Sequence, residues 1–296
     1  MKRLASLGWI GFAVSFFMAS IASASTGDSS SQNCSKDLTR AIPARRAQAQ
    51  SGSAIVRTVM NLSGPERDAV IEKQVLSGNM PPFLRDLAPV TFTGKLANGS
   101  PVVLTICVTP DYLAVGNDKD FVRMPMGLPA AAEIAGKFGF LLPTTKMVDA
   151  IYAQAKVHLA PRPMPPTRQM SSTDYLMRHN RTVEGQRAPI TRVRDELTAG
   201  QKKDLVLSNR LRRAPGRVAI YGWHRKNGAA IQPLSTVHGA QYADYSHGVR
   251  LISATAFING QAHALADIMQ DRQLAGIVSS EGPIKGATRL LASLYR

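Results

Sequence analysis

Three Asn-Gly dipeptides, Asn98-Gly99, Asn227-Gly228 and Asn259-Gly260, set the strongest limit on how this chain folds. Asn-Gly supplies the two consecutive positive φ angles that close a tight hairpin with the twist of its strands. Apolar and β-branched runs flank the first two: residues 90–96 and 102–108, then 217–223 and 229–234. The third lies inside a run at 256–263. The chain is therefore expected to rest on antiparallel hairpins.

Helical spacing fills much of the rest. Ser63-Gly64-Pro65-Glu66 reads as a helix start, with Ser63 capping and Pro65 in the first turn of a helix that ends near Leu76. Ala131, Ile134, Ala135 and Phe138 share one face of a helix at 128–138. Thr144 or Thr145 starts another, in which Met147, Val148, Ile151, Tyr152 and Ala155 form a stripe read as core packing. Ser171 or Ser172 starts a helix running to about Gln186, and residues 264–270 and 288–294 close the chain as helices. Short strands are expected at 112–115 and 121–124, with residues 116–120 as the turn between them. That turn lacks the regular acidic spacing and terminal Glu of a calcium loop. Further strands are expected at 203–208 and 242–252. The fold class expected is α+β, with a helix-richer N-terminal half and a mostly antiparallel, strand-rich C-terminal half.

Ala160-Pro161-Arg162-Pro163-Met164-Pro165-Pro166 can continue neither a helix nor a central strand. It is the natural boundary between regions 25–160 and 167–296, unless the two form one continuous domain.

Residues 1–24 have the form of an export signal: Lys2 and Arg3, an apolar run over 7–21, then Ala22-Ser23-Ala24. No later stretch approaches that apolar length, so a mature chain without a transmembrane segment, periplasmic or secreted, is expected. Two cysteines, Cys34 and Cys107, would then sit in an oxidising compartment, where a disulfide is the expected state. Cys107 lies in an apolar strand, a poor setting for a reactive thiolate.

The chain carries 36 Lys and Arg against 20 Asp and Glu, a formal charge of +16. From Arg178 to Arg217 there are eleven basic and four acidic residues. A field of this sign favours an anionic envelope polymer as partner. No nucleic-acid motif accompanies the charge, so nucleic acid is not expected.

The chemistry concentrates at 234–252, where His238, Asp244, Ser246, His247 and Arg250 fall close together. Three of the six histidines lie between His224 and His247. Three arrangements fit these residue types. In the first, His238 or His247 acts as general base, oriented by Asp244, with Ser246 or water attacking and Arg250 holding negative charge. In the second, His238, Asp244 and His247 ligate zinc with an open fourth position. In the third, the polar groups are structural and the glycines serve turns. Strict alternation puts Asp244 and His247 on opposite strand faces, so a bend near Gly248 is needed to unite them. Lys202, Lys203, Trp223, His224 and Tyr242 are the candidate substrate-binding residues, with Trp223 as a stacking platform for a sugar.

His238-Gly239 followed by Ser246-His247-Gly248-Val249-Arg250 resembles the signature of the L,D-transpeptidases of peptidoglycan. That family places its nucleophilic cysteine directly after the second His-Gly, where this chain has Val249. The resemblance therefore implies no thiol transpeptidation here. The expectation from the residues is a hydrolase or transferase acting on peptidoglycan or an acidic polysaccharide. The alternative is a non-catalytic module that binds the same polymers.

Overall fold

The computed structural model describes residues 33–191 and 193–293. The expected export signal at 1–24 lies outside the described residues.

A hairpin of Ala88–Lys95 (β1) and Pro101–Val108 (β2) forms the first sheet, with Val90 opposite Ile106 and Phe92 opposite Leu104. The Asn-Gly dipeptide does close this hairpin, but only Gly99 takes a positive φ (+82); Asn98 does not, so the pair of positive angles expected of a two-residue turn is not formed here. Two helices precede the hairpin: Gly52–Thr58 (α1) and Gly64–Leu76 (α2). Ser63 stands at the start of α2 in extended conformation but makes no side-chain cap bond. After β2 come the paired strands Ala114–Gly116 (β3) and Phe121–Arg123 (β4), joined by the expected turn. Helix Leu128–Phe138 (α3), strand Phe140–Leu141 (β5) and helix Thr145–Gln154 (α4) follow, then Val157–His158 (β6). Thr144 caps α4 by accepting a hydrogen bond from the Met147 amide.

The proline-rich stretch leads to helix Thr173–Arg187 (α5), capped by Ser172. Strands Thr198–Ala199 (β7) and Lys203–Leu205 (β8), helix Arg210–Arg213 (α6), and strands Ile220–His224 (β9), Ala230–Ser235 (β10) and His247–Gly248 (β11) come next. Strands Ile252–Ile258 (β12) and Gln261–Ala264 (β13) then precede helices Leu265–Gln270 (α7), Ala275–Val278 (α8) and Ala287–Ala292 (α9). The third Asn-Gly turns β12 into β13, with Asn259 at φ +49 and Gly260 at +84.

The molecule is α+β, with two main sheets. One is ordered β1-β2-β12-β13, with β5 also on β12; the other is β10-β9-β8-β11. β12 comes from the C-terminal side of the proline-rich stretch and pairs with β2 and β5 from the other side. Among the described residues the main apolar core draws on residues from Ile42 to Leu290, and Val157, Leu159 and Val183 form a small separate cluster. The disulfide Cys34–Cys107 ties the N-terminal flank to β2, where Cys107 is fully buried. No helix among the described residues is long and apolar enough to cross a membrane.

One expected strand is largely absent. Residues 242–252 form extended pairing only at His247, Gly248 and Ile252, where β12 begins; the segment before His247 is turn and loop. From Ala243 to Ser253 every residue is buried, so no solvent face exists to impose alternation.

Candidate active site

The second sheet divides the polar residues between two faces. In β8, Lys203 and Asp204 point to opposite sides. The parallel partner β11 sets His247 beside Lys203 and Gly248 beside Asp204. On β9, regular alternation would put Tyr221 and Trp223 on one side. Instead Trp223 adopts a left-handed φ of +59, next to Gly222 at +106. A bulky side chain seldom takes that conformation. The twist turns Trp223 toward Lys203, whose Nζ lies 5.2 Å from the ring centre. It leaves His224 with Tyr221: both bond Asp149 Oδ1, at 2.8 and 2.9 Å respectively.

The Lys203 face carries the cluster. The chain from 237 to 240 is held by a hydrogen bond from the Val218 amide to the His238 carbonyl (3.1 Å) and one from the Ala240 amide to the Gly216 carbonyl (2.8 Å). His238, half-buried, stacks on Tyr242 with ring centres 4.3 Å apart and planes 18° apart. His247, fully buried, lies 5.7 Å from the Tyr242 ring and 6.4 Å from the His238 ring. The structure thus brings together His238, Tyr242, Asp244, Ser246 and His247, with Lys203 and Trp223 alongside. The bend expected at Gly248 is not what unites Asp244 and His247. The turn 244–247 does so, through a hydrogen bond from the His247 amide to the Asp244 carbonyl (3.1 Å).

Within the cluster, Asp244 Oδ1 accepts from the Ser246 amide (2.8 Å) and the Ser246 hydroxyl (2.6 Å), and Oδ2 accepts from Tyr242 (3.2 Å). Burial pushes the Asp244 carboxyl up. Attraction to His247 and the two bonds from Ser246 more than reverse this, holding it below the usual carboxylate range. Burial brings His247 down to about 4, helped by the positive charge of Lys203 and opposed by Asp244, so it is neutral at pH 7. Burial and Asp244 push the Tyr242 hydroxyl up to about 12. Neither ring nitrogen of His247 has a hydrogen-bond partner among the described residues. A buried imidazole without partners is costly and uncommon.

Several expected roles do not fit their residues. Ser246 is buried and gives its hydroxyl to Asp244, so it is not paired with a histidine base. Asp244 touches neither imidazole by hydrogen bond; the histidine-carboxylate bond among the described residues is His224–Asp149. Arg250 lies on the opposite face, its NH1 and NH2 donating to the Thr109 and Thr198 carbonyls at 2.7 Å and its guanidinium 4.3 Å from the Tyr112 ring centre. It supports the core and cannot reach a ligand beside His247. His224 is on that far side too, stacked on Tyr152 at 4.6 Å. Lys202 is buried and donates to the Tyr245 carbonyl (2.6 Å); burial lowers it to about 7. Trp223 is only 5% exposed, with Lys203 over its ring, so its face is not open for a sugar. Among the described residues no three His, Cys, Asp or Glu side chains are arranged to hold a metal, so His238, Asp244 and His247 do not form the zinc trio.

Sequence reasoning missed His179. It is fully buried on α5, lacks a partner at either ring nitrogen, and sits 5.0 Å from the Tyr245 ring. Burial, with Lys202 nearby, lowers it to about 2. Its helix is polar and basic overall, but Leu176 and Val183 lie three residues before and four after His179, and that spacing is the signal that places it on the buried face. Comparison of the chain with protein-family models, curated proteins and solved structures yields no match, so the likeness to the L,D-transpeptidases rests on its few residues alone.

Proposed function

We propose that the chain is an exported hydrolase or transferase that acts on an anionic cell-envelope polymer by acid–base chemistry. One observation carries the reading: a half-buried imidazole, His238, stands 6.4 Å from a buried neutral one, His247, with the Tyr242 ring packed against both. His238 is the base that a polymer can reach; it takes the proton from an attacking water or sugar hydroxyl. His247 provides a neutral, unpaired imidazole behind it. Asp244, kept ionised, fixes the Tyr242 hydroxyl and the turn that carries His247. Lys203 supplies the positive charge expected of Arg250 and holds the developing or resident anion. The disulfide and the form of residues 1–24 support export.

The test is mass analysis of fragments released from isolated cell walls by the parent protein and by His238→Ala. Release by the parent and none by a variant that melts at the parent temperature supports the reading. Binding to the walls without any released fragment by the parent overturns it and leaves a non-catalytic binding module.

A further inference from the structure

Two adjoining hollows, of about 440 and 330 Å³, share Arg212, Leu290 and Ser293 in their walls. The larger adds Lys285 and Arg289. The guanidinium groups of Arg212 and Arg289 converge. From the position a Cβ would take on Gly286, Arg289 Nε is 3.5 Å away, Arg212 NH2 3.6 Å and Arg289 NH2 3.7 Å. Gly286 has φ +58, which disfavours any side chain there, and the space between the two arginines stays open. None of the ion pairs among the described residues includes Arg212, Lys285 or Arg289. Glu281, the acid nearest to them in sequence, is turned away and accepts from the Ser208 hydroxyl and the Asn209 amide. Like charges this close, with no carboxylate paired to them among the described residues, repel each other, and a bound anion relieves the repulsion.

The smaller hollow reaches Gly216. The Gly216 carbonyl accepts from the Ala240 amide, and Arg217 bridges Gly239, so one backbone contact joins the wall of the hollow to the segment that carries His238.

We propose that these hollows bind a phosphate group, carried by a phosphodiester polymer or present as free phosphate. Two guanidinium forks converge here, and Lys285 lines the same hollow. A tetrahedral phosphate can accept from all three, whereas the two oxygens of a carboxylate are filled by one fork. Leu211, Pro215 and Leu290 give the sites an apolar side that suits the glycerol or sugar between phosphates. As a subsite of the polymer's path this rests on the reading above; as a phosphate site it rests on its own side chains.

The experiment measures equilibrium binding of a fluorescent glycerol-phosphate oligomer and of labelled polygalacturonate to the full mature chain and to Arg212→Gln/Arg289→Gln. The double variant is expected to lose about tenfold or more of its affinity for the glycerol-phosphate oligomer. Its affinity for polygalacturonate should change less than about twofold. Inorganic phosphate should displace the oligomer from the parent if the phosphate alone is recognised; displacement only by the oligomer itself assigns the site to the polymer. Unchanged oligomer binding by the variant, or equal weakening of both polymers, overturns the phosphate site. Both side chains are exposed, and melting checks the fold. If the double variant melts early, Lys285→Gln must show the same selective loss, or the proposal fails. Fragment release from cell walls is measured in parallel. Selective phosphate binding without release retains this site and rejects the catalytic reading; release without selective binding does the reverse.

Discussion

The ammonium of Lys203 lies 5.2 Å from the centre of the Trp223 ring, on a tryptophan whose backbone is left-handed at φ +59. That one twist separates the two histidines that sequence spacing groups together. It sends His224 to Asp149 on the far side of the sheet and leaves Lys203 with His247 on the near side.

If Trp223 keeps that backbone in solution, glycine should be tolerated better than alanine. Trp223→Gly and Trp223→Ala both lose the buried ring, but only alanine must pay for a Cβ at positive φ. The glycine variant should therefore be more stable, by about 1 kcal/mol, in urea unfolding. Equal stabilities, or a more stable alanine variant, would mean that the conformation is not left-handed.

Gly248 serves close packing. A Cβ there would sit 2.5 Å from Tyr112 Cδ1. Tyr112 cannot easily retreat, because its hydroxyl donates to Asp204 at 2.8 Å and Arg250 covers its ring. Gly248→Ala should cost roughly 1–3 kcal/mol in chemical denaturation. A neutral effect would show that the Tyr112 ring is free to move.

The Cys34–Cys107 bridge spans 73 positions of chain. By chain entropy its removal should cost about 4 kcal/mol. The double variant Cys34→Ala/Cys107→Ala, compared with the oxidised parent by denaturant unfolding, measures this. A loss below about 1 kcal/mol would place the stabilisation elsewhere.

The lowered His247 makes stability depend on pH. Its folded value is about 4, against 6.5 for a free histidine. The unfolded chain therefore binds this proton first. The contribution is fully present above pH 6.5 and is lost as pH falls from there toward 4. It is on the order of 3 kcal/mol. Asp68 and Asp204, both raised to about 6 by burial, act with the opposite sign over much of the same range. The informative quantity is therefore the difference between parent and His247→Gln. That difference should shrink as pH falls from 6.5 to 4. A flat difference, or an imidazole that protonates near 6.5 by NMR, contradicts the burial argument.

What the residues reveal before folding follows how local the cause is. All three Asn-Gly turns form hairpins, because the positive φ of Gly99, Gly228 and Gly260 is a local preference; Asn joins in it only at Asn259. Thr144 and Ser172 cap their helices by bonds three residues long. The disulfide is legible because only two cysteines exist. The cluster of His238, Tyr242, Asp244, Ser246 and His247 is legible as a location, since all five lie within ten residues. Their roles are not. The parallel pairing of His247 with Lys203 joins segments distant in sequence, and no spacing rule predicts it. Proximity along the chain groups His224 with them, but its partner Asp149 stands on α4. Arg250 reads as a ligand for anions because arginine is seldom buried, yet two backbone carbonyls and an aromatic ring take up its charge.

The proposed reacting centre lies on the near side of this sheet, and the two histidine sites allow a direct comparison. The initial rate of fragment release from isolated cell walls, at saturating polymer and equal folded concentration, should fall at least about 100-fold in His238→Gln. It should stay within about threefold of the parent in His224→Gln, whose imidazole is bonded to Asp149 behind the sheet. Equal rates for the parent and His238→Gln, or a collapse confined to His224→Gln, would contradict the account.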